Sequence, residues 1–69
     1  MEETEITKLI NEIETEKQEL NDRIAKLSNL VLSDKANDFN DYHMSLLAIQ
    51  LNIMNAYFKT LELRLDDLD

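Results

Sequence analysis

The sequence contains no cysteine, no glycine and no proline among its 69 residues. The absence of cysteine excludes disulfide bonds and thiolate metal sites. The absence of glycine and proline removes the residues that usually make tight turns with positive φ and rigid kinks. Leucine, isoleucine, glutamate, lysine and asparagine are abundant instead. This composition and the short length favour an all-α protein of one domain, residues 1–69.

Basic residues are also scarce, because seven lysines and arginines face fifteen aspartates and glutamates, giving a net charge of -8. This charge disfavours nonspecific binding to nucleic acid or to an anionic membrane. The longest uncharged run, residues 42–58, is too short and too polar to span a bilayer. The acidic start, MEETEITK, is unlike a signal peptide. We therefore expect no nucleic-acid partner, no membrane partner and a cytoplasmic location.

The first half of the chain carries an apolar stripe at heptad spacing, interrupted once by Lys17. This pattern predicts an α-helix over about residues 5–32, with Thr4 as its N-cap. A single polar residue in such a seam usually lowers stability while it restricts register or oligomer state. We therefore predict that Lys17→Leu raises the melting temperature and broadens the distribution of assemblies. The stripe consists of Ile6, Ile10, Ile13, Leu20, Ile24, Leu27 and Val31.

The segment SDKANDFND breaks the apolar pattern and predicts a joint over residues 33–39. Asp38 or Asn40 is the expected N-cap of a second helix, over about residues 40–66, and Phe39 is expected to fold back as a staple. Two long helices with a short connection predict an antiparallel hairpin. The seam of the second helix consists of Leu47, Leu51, Met54, Phe58, Leu61, Leu65 and Leu68.

The outer side of the first predicted helix carries opposite charges four residues apart. Glu19 with Arg23, and Asp22 with Lys26, have the spacing of ion pairs on one helical face. We therefore predict both pairs on the exposed side of the hairpin.

The second helix has more apolar residues than one seam can use. At 100° per residue, a second apolar face lies nearly opposite the first, and it requires a further packing partner. Another copy of the chain is the simplest partner, and a symmetric dimer of hairpins would make a four-helix bundle. A larger closed ring and a foreign protein are the alternatives. This second apolar face, the predicted oligomer interface, consists of Leu46, Ile49, Ile53, Ala56, Thr60 and Leu63.

Between the two apolar faces, His43, Gln50, Tyr57 and Arg64 recur every seven residues and form a polar stripe. As a ligand site, the stripe offers a guanidinium fork for phosphate, a ring for stacking and an amide edge, with Lys59 as a further cation. As structure, Arg64 would pair with an acid of the first helix and Tyr57 would pack its ring. The sequence leaves both interpretations open.

Motifs for catalysis and metal binding are absent from the sequence. There is no glycine-rich phosphate loop, no His-Glu zinc motif and no nucleophile elbow. His43 is the single histidine, and Asp34, Asp38 and Asp41 lack the spacing of a calcium loop. We expect no catalytic residues, no bound metal and no cofactor, and therefore no enzyme.

Two segments, EIETEKQELNDRIAKLSNLV and LLAIQLNIMNAYFKTLELRL, resemble a family of small helical proteins of tailed phages and prophages, including crAss-like phages. The resemblance is carried in the second segment by Gln50, Met54, Tyr57, Leu61 and Arg64, and in the first by Leu20, Arg23, Ile24 and Leu27. It implies an accessory protein that counters host defence.

Several unrelated or loosely similar phage hairpins form homo-oligomers that hold cyclic-nucleotide or ADP-ribose-type immune signals between subunits, and by analogy of architecture this is the leading hypothesis for function. The alternatives are an inhibitor or adaptor that binds a host defence protein through its acidic or apolar faces, and a structural bundle without ligand.

Overall fold

The protein folds as two long antiparallel α-helices, and the computed structural model describes residues 4–69. Helix α1 spans Glu5–Leu32 and helix α2 spans Asp41–Leu68, each with 28 residues and about 42 Å long. A short 3-10 helix, Asp34–Asp38, occupies the predicted joint. No strand is present in residues 4–69, so the prediction of an all-α hairpin is confirmed. Helix α2 extends two residues beyond its predicted end.

Both helices begin at polar residues that satisfy free backbone N–H groups. The backbone N–H of Thr7 donates to Thr4 Oγ1 at 3.0 Å, which confirms Thr4 as the first N-cap. The backbone N–H of His43 donates to Asn40 Oδ1 at 2.7 Å, so Asn40 rather than Asp38 caps α2. Phe39 is half-buried beside this cap, and its ring centroid lies 4.9 Å from that of His43.

The core is a single seam between the two helices. Its four buried residues are Ile13, Leu20, Leu47 and Leu61, and Leu61 is completely excluded from solvent. Every predicted seam residue of α2 is buried or half-buried. The prediction for α1 is wrong at Ile6, which is exposed, and it omitted Leu9, which is half-buried against the core.

Lys17 lies at the edge of this seam, where its charge has two partners. Its Nζ is 3.7 Å from Glu62 Oε2 and 5.2 Å from the centroid of the Phe58 ring. The side chain is 30% exposed, so the lysine stem packs in the seam while the ammonium group reaches solvent.

The two predicted ion pairs on α1 do not form. Within residues 4–69, the one ion pair is Lys17 with Glu62. Asp22 instead accepts a hydrogen bond from Gln18 Nε2 at 3.3 Å. An exposed pair four residues apart contributes only about 0.3–0.5 kcal/mol, so a competing contact is enough to replace it.

Candidate functional site

The second apolar face of α2 lies on the side of the helix that α1 does not cover. All six of its residues are exposed, and Ile53 keeps 63% of its surface in contact with solvent. The hydroxyl of Thr60 donates to the carbonyl oxygen of Ala56 at 2.9 Å, so the polar group on this face is satisfied within the helix. The face is therefore apolar, exposed and free of unpaired hydroxyls.

The polar stripe follows one edge of α2, and all four of its side chains are exposed. Seven residues of helix correspond to about 10.5 Å, so the stripe extends over about 31 Å from His43 to Arg64. A ligand of mononucleotide size reaches two neighbouring members within one hairpin. Contacts to all four members by one such ligand would require further copies of the chain.

The members of the stripe differ in their local partners. His43 stacks on Phe39, and Gln50 Nε2 lies 4.0 Å from Met54 Sδ, which is a weak contact. Arg64 makes no ion pair with any residue in the range 4–69. The structural interpretation of Arg64 as the partner of an acid on α1 is therefore wrong for the single hairpin.

Lys59 does not lie beside the stripe. It follows Tyr57 by two residues, which rotates its side chain by about 200° to the opposite edge of α2. Lys59 and Tyr57 of one hairpin therefore cannot contact the same small ligand, and a lysine in such a site would have to come from another copy.

Open grooves follow both edges of the hairpin, where side chains of α1 and α2 meet. On the edge of the stripe, a groove of ≈ 350 Å³ is lined by Arg23, Lys26, Leu27, Leu30, Gln50 and Met54. On the opposite edge, a groove of ≈ 430 Å³ is lined by Glu14, Lys17, Gln18, Asn21, Phe58 and Leu65. Each groove combines a cation, an amide and an apolar floor.

The sequence that forms this two-helix hairpin matches the model of one known family. The family model described as Sequestin matches residues 7–67, which include all but the terminal residues of the two helices, the polar stripe and both grooves. This chain belongs to the Sequestin family. No curated protein and no solved structure matches the sequence.

Two cations on the stripe side of this Sequestin, Arg23 and Lys26, were missed as site residues by sequence reasoning. They were assigned to surface ion pairs, whereas in the structure they line a groove with Gln50. The signal that identifies them is their position four residues before Leu27 and Leu30 respectively, which pack at the edge of the seam.

The described residues of this Sequestin hold neither a metal-binding cluster nor a membrane-spanning helix. Residues 4–69 contain no group of three or more histidine, aspartate or glutamate side chains arranged to hold a metal ion. Over the same range, neither helix has an apolar stretch long enough to cross a membrane.

Proposed function

We propose that this Sequestin is a non-enzymatic protein that assembles with copies of itself and sequesters a small nucleotide signal between subunits. The proposed ligand is a cyclic nucleotide or an ADP-ribose derivative. The family name is consistent with the sequestering of some molecule. The observation that carries the proposal is the exposed polar stripe beside an exposed apolar face on the same helix.

Self-assembly is supported by the surface that the single hairpin leaves open. The chain exposes 5527 Å² at a mass of 8.1 kDa, whereas a compact monomer of that mass exposes roughly 4,500 Å². Much of the excess surface comes from the elongated shape, 54 × 17 × 12 Å. Large apolar side chains contribute to it at Leu46, Ile49, Ile53 and Leu63. Packing this face against another copy removes it from water and brings two polar stripes together.

Ligand capture is supported by the chemistry of the stripe. The guanidinium of Arg64 makes no ion pair among residues 4–69, so its five N–H donors are available to phosphate. Tyr57, seven residues earlier, offers a partly exposed ring for stacking, and Gln50 offers an amide for a base edge. One hairpin contributes two of these groups to a small ligand, and a second hairpin would contribute the rest.

The setting follows from the resemblance to phage and prophage proteins. A protein that binds an immune nucleotide without converting it lowers the free concentration of that signal in the bacterial cytoplasm. Sequestration therefore requires high affinity and a protein concentration comparable to that of the signal, and it requires no catalytic group.

The test is calorimetric titration of a panel of cyclic dinucleotides, cyclic trinucleotides and ADP-ribose derivatives. We expect one class to bind the wild type, Arg64→Ala to weaken binding about thirtyfold, and Arg64→Lys to restore only part of it, because lysine lacks the planar fork. Lys8→Ala, which removes an exposed charge of α1, is the control. If no compound of the panel binds the wild type with a Kd below about 100 μM, the proposal is rejected.

The second candidate function is inhibition of a host defence protein. The observation that favours it is the acidic outer side of α1, where Glu12, Glu16 and Glu19 line one shallow groove. If Arg64→Ala dissociates the assembly while no nucleotide binds the wild type, a protein partner becomes the better explanation.

A further inference from the structure

A second set of cations lies on the stripe side of the hairpin, toward the joint. The groove lined by Arg23, Lys26, Leu27, Leu30, Gln50 and Met54 has a volume of ≈ 350 Å³. An adjoining groove of ≈ 310 Å³ is lined by Lys26, Asn29, Leu30, Ser33 and Lys35. Since the two share Lys26 and Leu30, they are neighbours, and together we call them the basic groove.

The charge of the basic groove is opposite to that of the chain as a whole. Three of the seven cationic residues line it, and no carboxylate does, although the net charge is -8. Two other grooves of α1 are lined by Glu12, Glu14, Glu16 and Glu19. The basic groove is therefore a local cluster of three cations, while the other four cations lie elsewhere on the hairpin.

The nearest acids of α1 form no ion pair with these cations. Asp22 accepts a hydrogen bond from Gln18, which lines the groove on the opposite edge, and Glu19 lines the acidic grooves of α1. Arg23 and Lys26 have no ion-pair partner among residues 4–69. Their charges are thus available to an external anion.

We infer that the basic groove is a phosphate-binding site for a ligand that joins two or more phosphate charges to a sugar or base. Arg23 and Lys26 are three residues apart on α1, so their Cβ atoms are about 5–6 Å apart and both cations reach one diphosphate. Arg23 supplies the bidentate fork and Lys26 the mobile point charge. Leu27, Leu30 and Met54 form an apolar floor for the sugar or base, and Gln50 offers its amide.

Covering of the basic groove on one side depends on the self-assembly proposed above, so this site rests on the proposed function. Gln50 belongs to both the polar stripe and the basic groove, and it is flanked along α2 by Leu46 and Ile53 of the second apolar face. A second copy packed on that face would border the groove and exclude water from one side. The phosphate contacts would then come from α1, a helix that the stripe alone leaves out.

The test is a 1H–15N NMR titration of the full chain at constant ionic strength with pyrophosphate, ADP and adenosine. We expect pyrophosphate and ADP, but not adenosine, to shift the backbone amides of residues 23–30 and 50–54. The double variant Arg23→Gln/Lys26→Gln should weaken ADP binding by about tenfold. Lys8→Gln is the matched control, since it removes one exposed charge of α1 outside the groove, and it should leave affinity unchanged.

Three results would overturn the inference: no shift in these amides at about 10 mM pyrophosphate or ADP, equal binding of adenosine and ADP, or equal weakening by Lys8→Gln. The nucleotide panel separates this failure from failure of the proposed function. If a panel member binds and responds to Arg64→Ala but not to Arg23→Gln/Lys26→Gln, the inference is wrong and the function stands. If pyrophosphate binds the groove and no panel member does, the proposed function is wrong and the phosphate site stands.

Discussion

Replacement of Lys17 by leucine tests how the seam accommodates its one charged residue. The heptad pattern alone predicts a more stable protein, because a leucine would fill a position between two helices. The structure predicts a smaller gain. The lysine stem is already packed, and its ammonium group contacts both Glu62 and the Phe58 ring.

For Lys17→Leu, the expected change in the free energy of unfolding is the gain from burying leucine minus the loss of two lysine contacts, and the two amounts are similar. The ion pair contributes about 0–1 kcal/mol, because its two side chains are 30% and 38% exposed and solvent screens them. The cation–π contact contributes about 0.5–1 kcal/mol at such a site. Leucine regains about 1–2 kcal/mol through apolar burial and lower side-chain entropy loss. The net change lies between a loss of about 1 kcal/mol and a gain of about 1.5 kcal/mol, centred slightly above zero, and 1 kcal/mol corresponds to about 7 °C in Tm for a chain of this size.

Urea and thermal denaturation followed by circular dichroism measure this difference, and native mass spectrometry measures the assemblies. We expect a small rise in Tm and more than one assembly, because the charge that restricts register is gone. Lys17→Ala, which also loses the packed stem, should be less stable than the wild type by about 1–2 kcal/mol. Lys8→Leu, at an exposed position, should change stability by less than about 0.5 kcal/mol. A fall of more than about 7 °C for Lys17→Leu would refute the argument.

Three further predictions concern the core, the joint and the second apolar face. Leu61→Ala should destabilise the hairpin by about 2–5 kcal/mol, because Leu61 is 0% exposed, whereas Leu32→Ala at an 85% exposed position outside the second apolar face should not; equal effects would contradict the seam. Asn40→Ala should cost about 1 kcal/mol in urea denaturation through loss of the bond to His43, and an unchanged midpoint would show that the cap is replaceable. Ile53→Asp should dissociate the assembly in light scattering while circular dichroism keeps its helix content; unchanged mass would remove the face from the interface.

The sequence determines most of the fold because heptad spacing is a strong signal over helices of 28 residues. The failure at Ile6 has a geometric cause. Lys17 of α1 lies level with Phe58 and Glu62 of α2, so in an antiparallel pair Ile6, eleven residues earlier, falls beyond Leu68, the last residue of α2. No further turn of α2 faces it, and periodicity within one helix does not reveal where its partner ends.

The candidate site was less predictable than the fold. Its composition depends on whether an exposed side chain such as Arg23 pairs with an acid of its own helix or lies in the groove between the helices. The spacing of Glu19 to Arg23 is correct for an ion pair, yet in the structure Arg23 makes no ion pair and lines a groove with Gln50. The competing energies differ by a few tenths of a kcal/mol, which is below what spacing rules resolve. The position of Lys59 was predictable in contrast, since a separation of two residues from Tyr57 fixes opposite edges of any α-helix.

The net charge of -8 is a poor guide to the ligand of this hairpin, because charges act locally in salt solution. The Debye length is about 8 Å at physiological ionic strength, and the hairpin is 17 Å across. A charge on the opposite edge is therefore largely screened from the basic groove, but Glu19, one turn before Arg23 on the same face of α1, is not. The proposed phosphate site thus requires Arg23 and Lys26 to outweigh Glu19 at close range, while the remaining negative surface repels other polyanions. The local arrangement of charge around the groove, rather than its sum over the chain, decides whether an anion binds there.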